Sequence, residues 1–277
     1  MNAKYAWFAG AALMSVSVVL YSAPSAQSAA AQTGKAVKIN RLYTGPDGQT
    51  HAEDIEVKFG PGGTDPFKLM AGAGEMLHAI RKGKGVGNPG LLLACLQHHF
   101  DTLKGKPMVV MLPYANRLFR FADWYRQLLA ESIGKNPKTG PTPINALGTT
   151  DQHSQLQLYN EGPDNKWFIF MEALKPGADQ KLGKNLPKEI GFLNGRSLDT
   201  ILKASLQGTV GSLTKNGRPN ITLKLDRIDE GVIGGLLMLF EFQVALLGLL
   251  YKVNAFDQPG VEQSKSITKK ILSSEKK

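Results

Sequence analysis

The chain has 277 residues, 42% of them hydrophobic and 20% charged, enough to bury a sizeable core and unlike disordered or collagen-like sequence. A formal net charge of +10 favours anionic ligands without singling one out. There is no aromatic-plus-basic repeat and no Cys/His finger spacing, so nucleic acid is not an expected partner. Cys95 is the sole cysteine, which excludes an intrachain disulfide, and its place in the apolar run LLLACL assigns it to core packing.

In chain order, residues 1–31 run from Lys4 through an apolar stretch to small residues around Ser25–Ala31. That is the layout of a secretory signal peptide. Left uncleaved, Tyr5–Ala23 is near the length of a membrane anchor; membrane attachment is expected only in that form, and in either form the segment stands outside the fold. Residues 32–66 hold two short alternating runs around Gly45-Pro46-Asp47-Gly48, a predicted β-hairpin with a linker after it. His51, Glu53 and Asp54 read as a solvated loop there.

The rest, 67–277, reads as one domain. GLLLACLQHHF suits a buried helix, and its adjacent His98 and His99 point in different directions, so they do not chelate one metal as an i,i+4 pair could. MVVMLPY is a continuous apolar run of the kind a doubly covered parallel strand shows. Asn116 can cap a helix running to about Ile133, which Gly134 ends. Ile144–Gly148 and Trp167–Ala173 are further strand candidates, with a helix opening at Thr150 or Asp151 between them. Strands alternating with helices predict an α/β parallel sheet with its active site at the carboxyl ends of the strands. The run Gly231–Tyr251 is long enough to span a membrane, but Glu241 and Gln243 at its centre favour a helix buried in the domain.

Gln127 and Glu131 lie four apart on the helix after the first strand, so a carboxylate and an amide share one face. A single carboxylate can move a proton between adjacent sugar carbons. His153 is expected in the first turn of its helix, where the dipole keeps an imidazole neutral. Lys265 follows Gln258 on a last helix that Pro259 can start.

Three segments, FADWYRQLLAESIGK (Phe121–Lys135), ALGTTDQHSQLQLYNEGP (Ala146–Pro163) and GLLYKVNAFDQPGVEQSK (Gly248–Lys265), together with NGRPNITL (Asn216–Leu223), resemble the C-terminal half of the glucose-6-phosphate isomerase family. The resemblance implies a flavodoxin-like, three-layer sugar-isomerase domain with long C-terminal helices. It also implies interconversion of glucose 6-phosphate and fructose 6-phosphate through a cis-enediol. Glu131 then moves the proton. His153 helps open the sugar ring in a neighbouring subunit's site, which implies a homodimer. Lys265 acts near the ring oxygen, while Gln258 binds the phosphorylated hexose alongside Gln127. No metal and no cofactor are implied.

The sequence departs from the family in four places. Gln263-Ser264 stand where Leu-Gly usually precedes the matching lysine. The family's N-terminal half, with its serine- and threonine-rich phosphate loop, has no counterpart. The region FGPGGTDPFKLMAGAG lacks the arginine that the family uses on the enediolate, and losing such a donor costs about 10²- to 10³-fold in rate. The export-type N-terminus also conflicts with the family's cytoplasmic setting. The chain thus reads as a fusion, a truncated product or a chimera. A non-catalytic sugar-phosphate-binding or dimerisation module is the alternative expectation.

Overall fold

A computed structural model of the protein describes residues 64–175, 177 and 179–274 in full, and the backbone of 16–20, 37–44 and 50–57. In chain order the elements are β1 (Val16–Leu20), β2 (Val37–Thr44), β3 (Thr50–Val57), α1 (Pro66–Lys82), α2 (Pro89–Lys104), β4 (Met108–Pro113), α3 (Phe119–Ile133), β5 (Thr142–Asn145), α4 (Leu156–Glu161), β6 (Lys166–Ala173), α5 (Leu198–Lys215), β7 (Asn220–Leu225), α6 (Glu230–Tyr251) and α7 (Glu262–Ser274), with short 3₁₀ turns between some of them.

β2 and β3 pair antiparallel from Val37↔Val57 to Thr44↔Thr50, placing His51, Glu53 and Asp54 in a strand rather than a loop. The expected turn at Gly45–Gly48 lies outside the described residues. The remaining strands form one parallel sheet in the order β1-β7-β6-β4-β5. Here the structure differs from the expectation that 1–31 stands clear of the fold: Val16–Leu20 runs beside β7 as an edge strand. Val-Ser-Val-Val-Leu is apolar and rich in β-branched residues, which suits a strand as well as a leader.

Helices cover both faces of the sheet, and the strand period of two sorts the side chains between them. Val109 and Met111 of β4, and Trp167, Ile169 and Met171 of β6, join α1, α2, α3 and α6 in the larger core. Val110, Leu112, Phe168 and Phe170 point the other way, to Tyr159 of α4 and Leu206 and Leu213 of α5. Burial on both sides is why MVVML and WFIFM are unbroken apolar runs. The architecture is the expected three-layer α/β parallel-sheet domain with long C-terminal helices.

α6 is the element around which the larger core is built. It packs against α1, α2 and α3, and α1 approaches it almost backbone to backbone: a Cβ at Gly234 would lie 1.9 Å from the Leu69 carbonyl oxygen. It is the one helix among the described residues long and apolar enough to cross a membrane, and more than half of its apolar stretch is buried inside the domain. Gln243 is fully buried and donates to the Leu93 carbonyl at 3.4 Å, whereas Glu241 faces outward.

Other expectations shift in detail. β5 starts two residues before Ile144, because Thr142 N donates to the Pro107 carbonyl at 2.7 Å and sets the register against β4. Asn116 opens a 3₁₀ turn and gives no side-chain cap. Cys95 is exposed instead of packed in the core, because only one face of α2, carrying Leu93, Ala94 and Gln97, is buried.

Candidate active site

Gln127 and Glu131 lie on the outward face of α3, whose other face buries Ala122, Tyr125 and Leu129. Gln127 Nε2 donates to Glu131 Oε1 at 3.2 Å. The amide holds one carboxylate oxygen and leaves the other open.

α3 begins where β4 ends and descends to the start of β5, so Glu131, in its last turn, sits near the amino ends of the strands. A crossover helix returns the chain to the opposite end of the strands of a parallel sheet. α6 likewise descends from β7, and the Phe256-Asp257-Gln258 segment that follows it reaches the same end. There the Lys135 ammonium pairs with the Asp257 carboxylate at 3.1 Å and also donates to the Asp257 carbonyl. The structure thus brings the Gln258 segment to the end of α3 that carries Glu131.

Lys265 lies on α7, every described residue of which is exposed. It pairs with Glu262 at 2.7 Å and borders a shallow hollow of about 420 Å³ with Ser264, Thr268, Lys269 and Leu272. A hollow walled by a single helix excludes no water, so by itself it is a poor site for charge chemistry. Pro259 starts a three-residue 3₁₀ turn, and α7 follows at Glu262.

His153 is placed apart from these. The sequence expected it in the first turn of a helix; it lies instead at the carboxyl end of a 3₁₀ turn, Thr150–Gln152, three residues before α4. Local hydrogen bonds win over helix extension: Asp151 accepts from Leu147 N at 2.7 Å and from Ser154 Oγ at 2.6 Å. Partial burial would raise the Asp151 carboxyl, but these bonds, with one from Gln155, outweigh it and hold the group below the usual carboxylate range. Gln152 pegs the loop inward, donating to the Tyr114 hydroxyl at 2.7 Å and to the Ser205 carbonyl at 3.2 Å. His153 is left exposed at the carboxyl end of β5, across the sheet from Glu131.

A crevice lies at the centre of the sheet, at the carboxyl ends of β4 and β6. β5 lies on one side of β4 and β6 on the other, so the winding reverses between β4 and β6, where α/β sheets form ligand crevices. A pocket of about 210 Å³ sits there, lined by Tyr114–Arg117, Glu172, Ala173, Asp199, Leu202, Lys203, Leu206 and Ile228. Lys203 is already committed within it, to Asp199 at 2.7 Å and the Leu174 carbonyl at 2.9 Å. A strand order would have pointed to this crevice; strand existence alone did not.

The doubly covered parallel sheet is an α/β sugar-isomerase fold. The phosphoglucose isomerase family model matches residues 57–277. The glucose-6-phosphate isomerase of Rubrobacter xylanophilus is 40% identical over 213 residues, covering 74% of this chain and 48% of that protein. That of Methanocaldococcus jannaschii is 37% identical over 214 residues, covering 76% and 51%. Among solved structures, a hypothetical protein from Thermus thermophilus aligns with a TM-score of 0.70 at 33% identity over 76% of this chain and 51% of its own. A glucose-6-phosphate isomerase from Chlamydia trachomatis aligns with a TM-score of 0.65 at 25% identity, over 76% and 43%. The chain belongs to the phosphoglucose isomerase family. It spans about half the length of the curated relatives it matches.

Proposed function

We propose that the chain is an aldose-ketose isomerase that interconverts glucose 6-phosphate and fructose 6-phosphate, with Glu131 as the base. The observation that carries this reading is the Gln127–Glu131 contact of 3.2 Å on an open helix face, at the end of α3 to which the Gln258 segment is tied. Glu131 takes the proton from the carbon beside the carbonyl and returns it to the neighbouring carbon through a cis-enediol, which one carboxylate on one side of the sugar can do. Gln127 and Gln258 hold the hexose, and Lys265 serves the ring oxygen. His153 opens the ring. Its place across the sheet from Glu131 favours an arrangement in which it serves the site of a second copy, so the working form is a homodimer.

The test is a coupled isomerase assay on the purified chain beside Glu131→Gln. Removing the base should lower kcat by at least about 10²-fold, with the fold retained. Equal rates for the two proteins would sink the reading.

The chain's half-length match to its relatives and the missing arginine near the start of the domain favour a second reading, a sugar-phosphate-binding or dimerisation module without turnover. That reading predicts saturable calorimetric binding of fructose 6-phosphate with no conversion, and the absence of binding heat counts against it.

A further inference from the structure

We infer that Lys135 is a positioning residue of this site, acting through Gln258; the inference rests on the isomerase reading for its kinetic consequence and on the geometry below for the rest. Lys135 lies four residues past Glu131, with Gly134 ending α3 between them. Its side chain is only 10% exposed, against a half-exposed Asp257, so the lysine stem is held by packing while the carboxylate it reaches stays at the surface. Its one ammonium group grips two oxygens of one residue, the Asp257 carboxylate at 3.1 Å and the Asp257 carbonyl. Holding a main-chain and a side-chain oxygen together fixes the orientation of Asp257, and therefore the direction in which Gln258 leaves it.

The rest of the segment is pinned up to that point and not beyond it. Lys252 turns the chain out of α6 in the left-handed conformation, φ 58°. Ala255 is buried against Gly248, where a Cβ would come within 2.8 Å of the alanine methyl. Asn254 Nδ2 donates to the second Asp257 carboxylate oxygen at 2.8 Å, and Phe256 N donates to Asn254 Oδ1 at 3.1 Å. Gln258 itself is exposed and makes no side-chain hydrogen bond among the described residues. α7 and Lys265 come after it and have the adjoining 3₁₀ turn as their main neighbour. The Lys135–Asp257 clamp is thus the last fixed point before both residues proposed to touch the sugar, and it is anchored on the helix that carries the base.

The experiment compares the full chain with Lys135→Ala, Lys135→Arg, Gln258→Ala and the Lys135→Ala/Gln258→Ala double variant, by hydrogen exchange and by the isomerase assay. In Lys135→Ala the hydrogen-bonded amides of Phe256, Val261 and Glu262 should exchange faster while those of β4 and β6 keep their protection, and Lys135→Arg should restore most of the difference. Unchanged exchange at Phe256, Val261 and Glu262 overturns the inference whether or not the chain turns over sugar. In the assay, Lys135→Ala should lower kcat/KM roughly tenfold, within the range a small misplacement of a binding group produces. Because Lys135 acts only through Gln258, the double variant should fall no further than Gln258→Ala; additive losses would overturn the inference. A wild-type chain without turnover, but with the expected exchange pattern, removes the isomerase reading and leaves the clamp standing.

Discussion

Asp164 sits between two cations that are almost buried: Lys106 at 2.5 Å and Arg218 at 2.9 Å, whose side chains are 10% and 11% exposed. Arg218 also donates to the carbonyls of Asn160 and Gly162 at 2.8 and 2.7 Å, so the trio staples the loop that starts β6. Partial burial would raise the Asp164 carboxyl, but the bonds and charges of Lys106 and Arg218 together outweigh it and hold the group below the usual carboxylate range. A depressed carboxylate stabilises the fold above its unfolded value, and that contribution is lost as pH falls through the folded one. Asp164→Asn should therefore be less stable than the parent at neutral pH, with the difference shrinking from about pH 4 downward, in urea midpoints measured across the acid range. A constant difference would refute the assignment. At this scale the sequence was partly legible. Gln127 and Glu131 were readable because a spacing of four is a local property of a helix. The surroundings of His153 were not, since Asp151 and Gln152 draw their partners from Leu147, Tyr114 and Ser205, and no local pattern announces those pairings.

Among the elements, the α1–α6 contact is the one most exposed to a single change. Gly234→Ala would drive a methyl into the Leu69 carbonyl, and Gly72 meets the Gly231 carbonyl oxygen as closely, at 1.8 Å from a built Cβ. Separating two helices at such a contact costs about 1–3 kcal/mol or more. Gly208, in the middle of α5, is exposed, with nothing within 4 Å of an added Cβ. Gly208→Ala should stabilise by about 0.5–1 kcal/mol. Opposite signs in one chemical denaturation series are the expected outcome; two stabilising changes would mean that α1 rides free of α6. The apolar strands β4 and β6 could be read from their runs alone. β7 carries a different signal: in Asn-Ile-Thr-Leu-Lys-Leu the apolar Ile221, Leu223 and Leu225 alternate into the larger core, and only its pairing with β6 fixes its place in the sheet. α6 passed for a possible membrane span because burial on several sides by other helices leaves the same all-apolar signature as lipid.

For the whole molecule, the separation of His153 from Glu131 across the sheet has a measurable outcome if two copies share their sites. Glu131→Gln and His153→Ala should each be inactive, yet mixing them under conditions that exchange subunits should rebuild one complete site in each mixed dimer. At equal amounts about one quarter of wild-type activity should return; no recovery on mixing would assign both residues to a single subunit's site or to none. The layered α/β architecture was legible in the sequence because alternating strand and helix runs leave few topologies open. The end of the strands near which Glu131 lies was not, since that follows from where the crossover helix ends. Cys95, the only cysteine in the sequence, looks outward from α2. A maleimide dye or nitroxide would therefore attach once per subunit, without engineered sites, and a pair of copies would carry a single label-to-label distance. The chain comes with its own ruler for the assembly on which its chemistry would depend.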